Sequence, residues 1–218
     1  MKGKLIKFRE NADSPYVVEA GKEIFETIKG KWRETYFKNE HPITLELACG
    51  RGEYAVGLAG LFPQQNFIGV DIKGARIWKG SKIAADKGLK NIAFLRTQID
   101  HLDQFFDEGE VDEIWIVFPD PQPRDRNEKK RLTHPRFIDL YKKIIKSGGA
   151  IRLKTDNRAL FDYTLEHLQS RADVADLEYT FDLYQSPYLG DHHSIQTKYE
   201  KGFLSEGLKI NYLKFRIN

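Results

Sequence analysis

A chain of 218 residues that is 40% apolar, with 14 Phe and 10 Tyr, can bury a sizeable core and fits one domain spanning 1–218. No run of about 18 apolar residues occurs, and the basic start Met1 to Arg9 leads into no secretory-type apolar stretch, which excludes a helical membrane protein and predicts an unexported, cytoplasmic one. The single cysteine, Cys49, excludes an internal disulfide framework and a cysteine-built zinc cage, and a net charge of +3 is too small to name a partner by itself.

Ser14-Pro15 pairs a capping side chain with a proline at a first helical position. With Val17, Val18, Phe25, Ile28 and Trp32 following, it predicts an N-terminal helical extension over about 1–40. Strand and helix patterns then alternate: strand 43–48, helix 52–61, strand 66–70, helix 74–87, strand 91–95, a short helix over 100–106, and strand 113–118. Thr133-His134-Pro135 opens a helix to 146 that Gly148-Gly149 ends, strand 150–154 follows, and Asp156 or Asn157 caps a helix to about Gln169. Strands over 177–184 and 209–217 flank a loop and a short helix at 197–206 stopped by Gly207. This order predicts an α/β fold with a single doubly wound, mostly parallel sheet of about seven strands and an antiparallel C-terminal strand.

Two strand ends carry chemistry. Glu46 ends the first strand, and Gly50 and Gly52 follow where the absence of Cβ lets backbone approach a ligand. Asp71 ends the second strand, where a carboxylate can accept from two ribose hydroxyls. Gly50-Arg51-Gly52-Glu53-Tyr54-Ala55 also fits a dinucleotide pattern with Asp71 about twenty residues on, so NAD competes with S-adenosylmethionine. Glu46 favours the latter, because an acid suits a cationic sulfonium cofactor better than a pyrophosphate. Cys49 reads as a small apolar filler of a tight loop rather than a nucleophile.

The second junction is Phe118-Pro119-Asp120-Pro121-Gln122-Pro123-Arg124, leaving the strand Ile114 to Phe118. Three prolines in five residues stiffen the loop that holds Asp120. Arg124, Arg126, Lys129, Lys130 and Arg131 follow, with Lys2, Lys4, Lys7 and Arg9 at the N-terminus as a second basic group, and such clusters can neutralise phosphates. His192-His193 lacks the companions of a metal site and reads as a surface loop, and Trp32 with Tyr36 reads as packing.

Three motifs in order, Phe118-Pro119-Asp120-Pro121-x-Pro123 with Glu128-Lys129-Lys130-Arg131-Leu132-Thr133, then Lys154-Thr155-Asp156-Asn157-Arg158, then Thr197-Lys198-Tyr199-Glu200-Lys201-Gly202-Phe203, resemble the bacterial tRNA (guanine-N7)-methyltransferases over roughly residues 43–216. The resemblance implies a Rossmann-like methyltransferase fold, S-adenosyl-L-methionine as cofactor, and methyl transfer to N7 of a guanine in the variable-loop region of tRNA. It places Glu46, Gly50, Gly52, Asp71, Gln98 and Asp120 at the cofactor and gives Asp120 a catalytic role as well. Arg124, Arg126, Lys129, Lys130, Arg131, Asp156, Thr197, Lys198, Tyr199 and Glu200 fall on the RNA side. Departures from the family pattern are Ala48 at a common glycine, Gln122 at a usual aromatic, Arg124 at a lysine, and Gln98 at a third acid, with Asp100 two residues away.

The N7 lone pair of guanine needs no deprotonation, so the chemistry asks for in-line alignment and a carboxylate, Asp120, to offset the cation formed. Thr197, Tyr199 and Glu200 are expected to complete the base pocket. An NAD-dependent reductase and a non-catalytic RNA-binding protein of the same fold are the alternatives. The expected partner is tRNA, with no membrane and no metal, and the chain is expected as a monomer or homodimer.

Overall fold

In the computed structural model, which describes residues 2–218, the chain forms one mixed sheet with helices on both faces. Its strands are β1 (Val17–Val18), β2 (Ile43–Leu47), β3 (Asn66–Val70), β4 (Ile92–Leu95), β5 (Val111–Val117), β6 (Ile145–Thr155), β7 (Val174–Thr180) and β8 (Asn211–Ile217). The helices are α1 (Lys2–Asp13), α2 (Glu23–Thr27), α3 (Glu53–Leu61), α4 (Gly74–Asp86), α5 (Pro135–Ile144), α6 (Arg158–Gln169) and α7 (Lys198–Ser205). Strand order is β1-β4-β3-β2-β5-β6-β8-β7, parallel throughout except that β8 runs antiparallel between β6 and β7.

Alternation along each strand divides the core in two. Ile43, Leu45, Leu47, Ile68, Val70, Ile114, Ile116, Leu213 and Phe215 point to one face and pack with Trp32, Phe106 and Tyr141. Phe67, Phe94, Trp115, Val117 and Tyr212 point to the other, against Tyr54, Ala55 and Leu58 of α3 and Ile77 of α4. Both faces being covered explains why β2, β3 and β4 are buried along their full lengths.

The N-terminal segment departs from the expected extension. Ser14-Pro15 does not open a helix: α1 has already ended at Asp13, and Val17 and Val18 pair with Phe94 and Leu95 as an eighth, edge strand. Two adjacent β-branched residues facing opposite sides fit a sheet, and Lys22 Nζ holds the turn by donating to the carbonyls of Asn11, Ser14 and Val17 at 3.0, 2.6 and 2.6 Å. Trp32 and Tyr36 lie on a π-helical turn, Trp32–Phe37, where Trp32 is fully buried and its Nε1 donates to the Phe105 carbonyl at 2.8 Å.

Gly148 and Gly149 do not terminate α5, which ends at Ile144, but lie inside β6. A Cβ on Gly149 would lie 2.5 Å from the Ile145 side chain and 2.9 Å from the Asp112 carbonyl, so only glycine lets the strand fold back beside β5. The edge strand β7 starts and stops earlier than expected, interrupted by a register shift between Ala175 and Glu178 with Asp176 at φ 51°. Among the described residues no helix is long and apolar enough to cross a membrane.

Candidate active site

The carboxyl ends of β2, β3, β4 and β5 converge on one edge of the sheet. After β2 the chain turns through Ala48, Gly50 and Gly52 at φ 54°, 56° and 65° before α3 begins. Gly52 is obligatory, since a Cβ there would meet the Phe94 ring at 2.4 Å. Ala48 holds the same left-handed backbone with a Cβ, at about 1–2 kcal/mol of strain. After β5 the chain turns again at Phe118, φ 48°, and at Gln122, φ 46°.

Two cavities open at this edge and meet at Ala48, which borders both. The first, 340 Å³, is lined by Glu46, Arg51, Glu53, Phe118, Thr197 and Tyr199 among others. The second, 310 Å³, is lined by Asp71, Ile72, Gln98, Asp100, Lys130 and Phe137 among others. A larger concavity of 750 Å³ lies at the opposite ends of the strands, where Lys142, Lys143 and Arg171 are already paired with Asp173, Asp103 and Asp139. Those cations are neutralised within the concavity, and it faces none of the strained turns.

Glu46 is 5% exposed, and its Oε2 accepts from the Ala55 amide at 2.8 Å. Burial pushes its carboxyl up to about 8, with Glu53 and Asp71 adding to the rise and the Ala55 amide and Lys154 opposing it. Asp71 accepts from Gly50 N at 2.9 Å and from Lys73 N at 2.7 Å, one bond per oxygen, so each oxygen keeps a lone pair for a ligand hydroxyl. Gln98 is exposed at the second cavity with no side-chain partner among the described residues, whereas Asp100 is held by Arg136 Nη1 at 2.6 Å. Of the two, Gln98 is free to meet a ligand. Cys49 is buried, and burial raises its thiol well above the usual range, which leaves it an inert filler.

These groups fit S-adenosylmethionine better than a dinucleotide. A pyrophosphate at the start of α3 would face Glu53 in the helix's first turn, with Glu46 bonded to Ala55 beneath it offering no positive charge, whereas a cationic methionine end would be attracted to Glu53 and would favour ionisation of Glu46.

Asp120 is exposed on the Pro-rich loop, its Oδ1 accepting from the Gln122 amide at 3.1 Å, and it stands outside the residues that line the two cavities. Arg124, Arg126, Lys129 and Lys130 are exposed and, among the described residues, make no ion pair. Arg131 differs: half-buried, it stacks 4.4 Å over the Tyr163 ring and donates to the Gln122 carbonyl at 3.3 Å, so it braces the loop.

Thr197 caps α7 by accepting from Glu200 N at 3.2 Å, Lys198 N donates to Glu53 at 2.7 Å, and Tyr199 stands 63% exposed at the cavity mouth. Glu200 departs from expectation. Instead of facing a base, it is fully buried, its oxygens 2.8 and 3.0 Å from Lys154 Nζ, with Tyr184 OH donating at 3.1 Å. Lys154, also fully buried, has its ammonium pulled down by burial and back up by Glu200. A lysine in the buried C-terminal end of a strand demands a counter-charge, and Leu153-Lys154-Thr155 carries that signal. Asn157, not Asp156, caps α6 by accepting from Leu160 N at 2.8 Å, and Asp156 is left half-buried with its carboxyl raised by burial. His192 is buried at 3% exposure rather than on a surface loop, and no cluster of three metal-ligating side chains occurs among the described residues.

A family model described as "Putative methyltransferase" matches residues 40–213. The chain is 51% identical over 213 residues to a tRNA (guanine-N(7)-)-methyltransferase of Cytophaga hutchinsonii, covering 97% of this chain and 96% of that one. It is 46% identical to the protein of the same name from Bacteroides thetaiotaomicron, covering 99% and 86%. In fold it is similar to the 16S rRNA methyltransferase KamB, with a TM-score of 0.63 at 15% identity over 85% of this chain and 92% of that one. A 16S rRNA (adenine(1408)-N(1))-methyltransferase from Catenulisporales acidiphilia, solved with cosubstrate SAM, aligns with a TM-score of 0.56 at 14% identity over 86% and 89%. On these relationships, the chain belongs to the tRNA (guanine-N(7)-)-methyltransferase family.

Proposed function

We propose that this protein transfers a methyl group from S-adenosylmethionine to N7 of a guanine in the variable-loop region of tRNA. The observation that carries this is 51% identity across nearly the whole chain to a tRNA (guanine-N(7)-)-methyltransferase. The joined cavities at the strand ends agree with it. When bound, S-adenosylmethionine supplies an electrophilic methyl on a sulfonium.

Asp71 and Gln98 hold the nucleoside part, with Asp71 positioned by Gly50 and Lys73 amides before any ligand arrives. Glu46, Gly50 and Gly52 shape the methionine end, where a cationic donor would draw the buried Glu46 carboxyl toward its ionised form. On the RNA side, Arg124, Arg126, Lys129 and Lys130 neutralise phosphates, Thr197, Lys198 and Tyr199 border the base, and Asp156, at the end of β6, is a further substrate contact. Arg131 and Glu200 act indirectly, Arg131 by holding the loop and Glu200 by anchoring α7 through Lys154. Guanine N7 attacks with its own lone pair, so no side chain takes a proton. Asp120 offsets the positive charge that moves onto the base. Its exposed loop position is that of a group which meets substrate as RNA covers the cleft.

The test is to incubate the protein with an unmodified tRNA transcript and methyl-labelled S-adenosylmethionine and to map the labelled nucleoside. Label on N7 of one guanine in the variable-loop region is expected; label on another atom or region, or none, overturns the proposal.

A further inference from the structure

One of the N-terminal basic residues, Lys7, finds a place that the reaction does not use. α1 lies along α4, fastened by Asn11 Nδ2 donating to the Gly74 carbonyl at 2.8 Å and by Trp78 Nε1 donating to Glu10 at 2.7 Å. Between the two helices and the turn after β2 opens a third cavity, 360 Å³, lined by Lys7, Arg51, Arg76, Lys79, Trp78 and Tyr199 among others. Four of those side chains are cationic, and no acid lines the cavity.

Among the described residues none of these four cations has a carboxylate partner, although ion pairs are plentiful elsewhere on the surface. Glu10, on the same helix as Lys7, is taken up by Trp78 Nε1 and by Lys82. Lys7 Nζ sits 4.7 Å over the Trp78 ring, a contact that positions the ammonium without neutralising it. Arg76 and Lys79 are three residues apart on α4, a like-charge spacing that costs a few tenths of a kcal/mol on a helix. An arrangement with repulsion inside it and no counter-charge is suited to an anion brought from outside.

We propose that this cavity is a second RNA-phosphate site, holding the tRNA backbone on the side of the cleft away from the 124–131 loop. The proposal rests on tRNA being the substrate. Gly50, Arg51, Arg76 and Tyr199 line both this cavity and the 340 Å³ cavity, so the two are continuous. The 310 Å³ cavity, to which the loop contributes Lys130, shares no lining residue with it. Backbone gripped at both places straddles the methyl-transfer cleft and holds the target guanine between two fixed points, with Tyr199 at the crossing. Arg51 and Arg76 also face the cleft, where they can meet the donor's carboxylate. Lys7 and Lys79 line the third cavity alone and therefore isolate its role.

The experiment compares wild type with Lys7→Gln/Lys79→Gln and with Lys87→Gln/Lys90→Gln, which removes the same charge at the far end of α4. Binding of labelled, unmodified tRNA is titrated at several salt concentrations without donor. Loss of two phosphate contacts lowers the log-log salt slope by about 1.4–1.8 and leaves the control parallel to wild type. KM for tRNA rises severalfold with kcat unchanged, and S-adenosylmethionine affinity by calorimetry stays put. A slope equal to wild type, or an equal shift in the control, overturns the proposal. Should the double variant lower the unfolding temperature, Lys79→Gln and Lys79→Arg replace it: the first must lose about 0.7–0.9 of slope and the second must keep it. Wild-type protein that binds tRNA without methylating N7 defeats the proposed reaction and leaves this site standing, whereas wild-type protein that fails to bind tRNA defeats both.

Discussion

Replacing Lys154 with Met tests whether the buried ion pair beneath α7 is what holds the substrate-side segment in place. Both partners are fully excluded from solvent, so the loss of one leaves the other as an uncompensated charge. Removing one member of such a pair costs about 3–5 kcal/mol, a large share of the roughly 5–15 kcal/mol by which a domain is stable. For a chain of this size that lowers Tm by about 6–20 °C. Glu200→Gln strands the Lys154 ammonium and costs a similar amount, whereas Lys154→Met/Glu200→Gln has no buried charge and still offers Tyr184 an acceptor. The double variant therefore costs only about 1–3 kcal/mol, for an amide donor left unpaired. Urea unfolding of all four proteins closes the cycle, and the singles and double must be non-additive by about 3 kcal/mol or more. Additive costs, or a Lys154→Met variant within about 1 kcal/mol of wild type, would refute the claim that the pair anchors α7.

Three other outcomes follow from the geometry. Because burial holds the Glu46 carboxyl near about 8 against an ordinary 4.5, the folded chain keeps a proton there that the unfolded chain releases, so this group's contribution to stability falls as pH rises across that window. Glu46→Gln, which retains an oxygen for the Ala55 amide, should flatten that fall when denaturant unfolding is compared at the two ends of the range. Ala48→Gly relieves about 1–2 kcal/mol of left-handed strain and adds about 0.5–1 kcal/mol of unfolded-chain entropy, for a net gain of up to about 1.5 kcal/mol visible as a higher denaturation midpoint. Changing Arg124, Arg126 and Lys129 together to Ala, with Lys130 kept at the 310 Å³ cavity, should flatten the salt dependence of tRNA binding by about 2.1–2.7 log-log units and leave cofactor affinity unchanged; parallel salt plots would make the loop a merely solvated one.

The sheet was legible in the sequence because its signals are local and repeated: apolar runs of strand length, each followed by a helical period and a glycine or capping residue. The turn after β2 and the acids Glu46 and Asp71 came with it, since strand ends are where such a sheet leaves room for ligands. Val17-Val18 reads as helix because Ser14-Pro15 mimics a helix start, and the pairing that makes those two residues a strand lies with Phe94 and Leu95, far along the chain. Gly148-Gly149 looked like a stop for the same kind of reason: the need for glycine there is set by the neighbouring Asp112 carbonyl and the folded-back Ile145 side chain. Glu200 reads as a substrate contact because its motif is local, while its partner, Lys154, sits 46 residues earlier. The third basic cavity was hidden altogether, as it draws Lys7, Arg51 and Lys79 from three separate elements that only the docking of α1 on α4 brings together.

The central claim is that the strand-end cleft transfers a methyl group to guanine N7 with Asp120 offsetting the charge. Single-turnover transfer of labelled methyl to unmodified tRNA, at saturating tRNA and S-adenosylmethionine, measures it most directly when wild type and Asp120→Asn are run side by side. Wild type should place one label on N7 of a single guanine, and the variant should bind both ligands yet transfer the methyl at least about tenfold more slowly, since the amide keeps the shape and loses the charge. Equal rates would reduce Asp120 to a loop residue, and label at any other atom would contradict the account of the reaction itself.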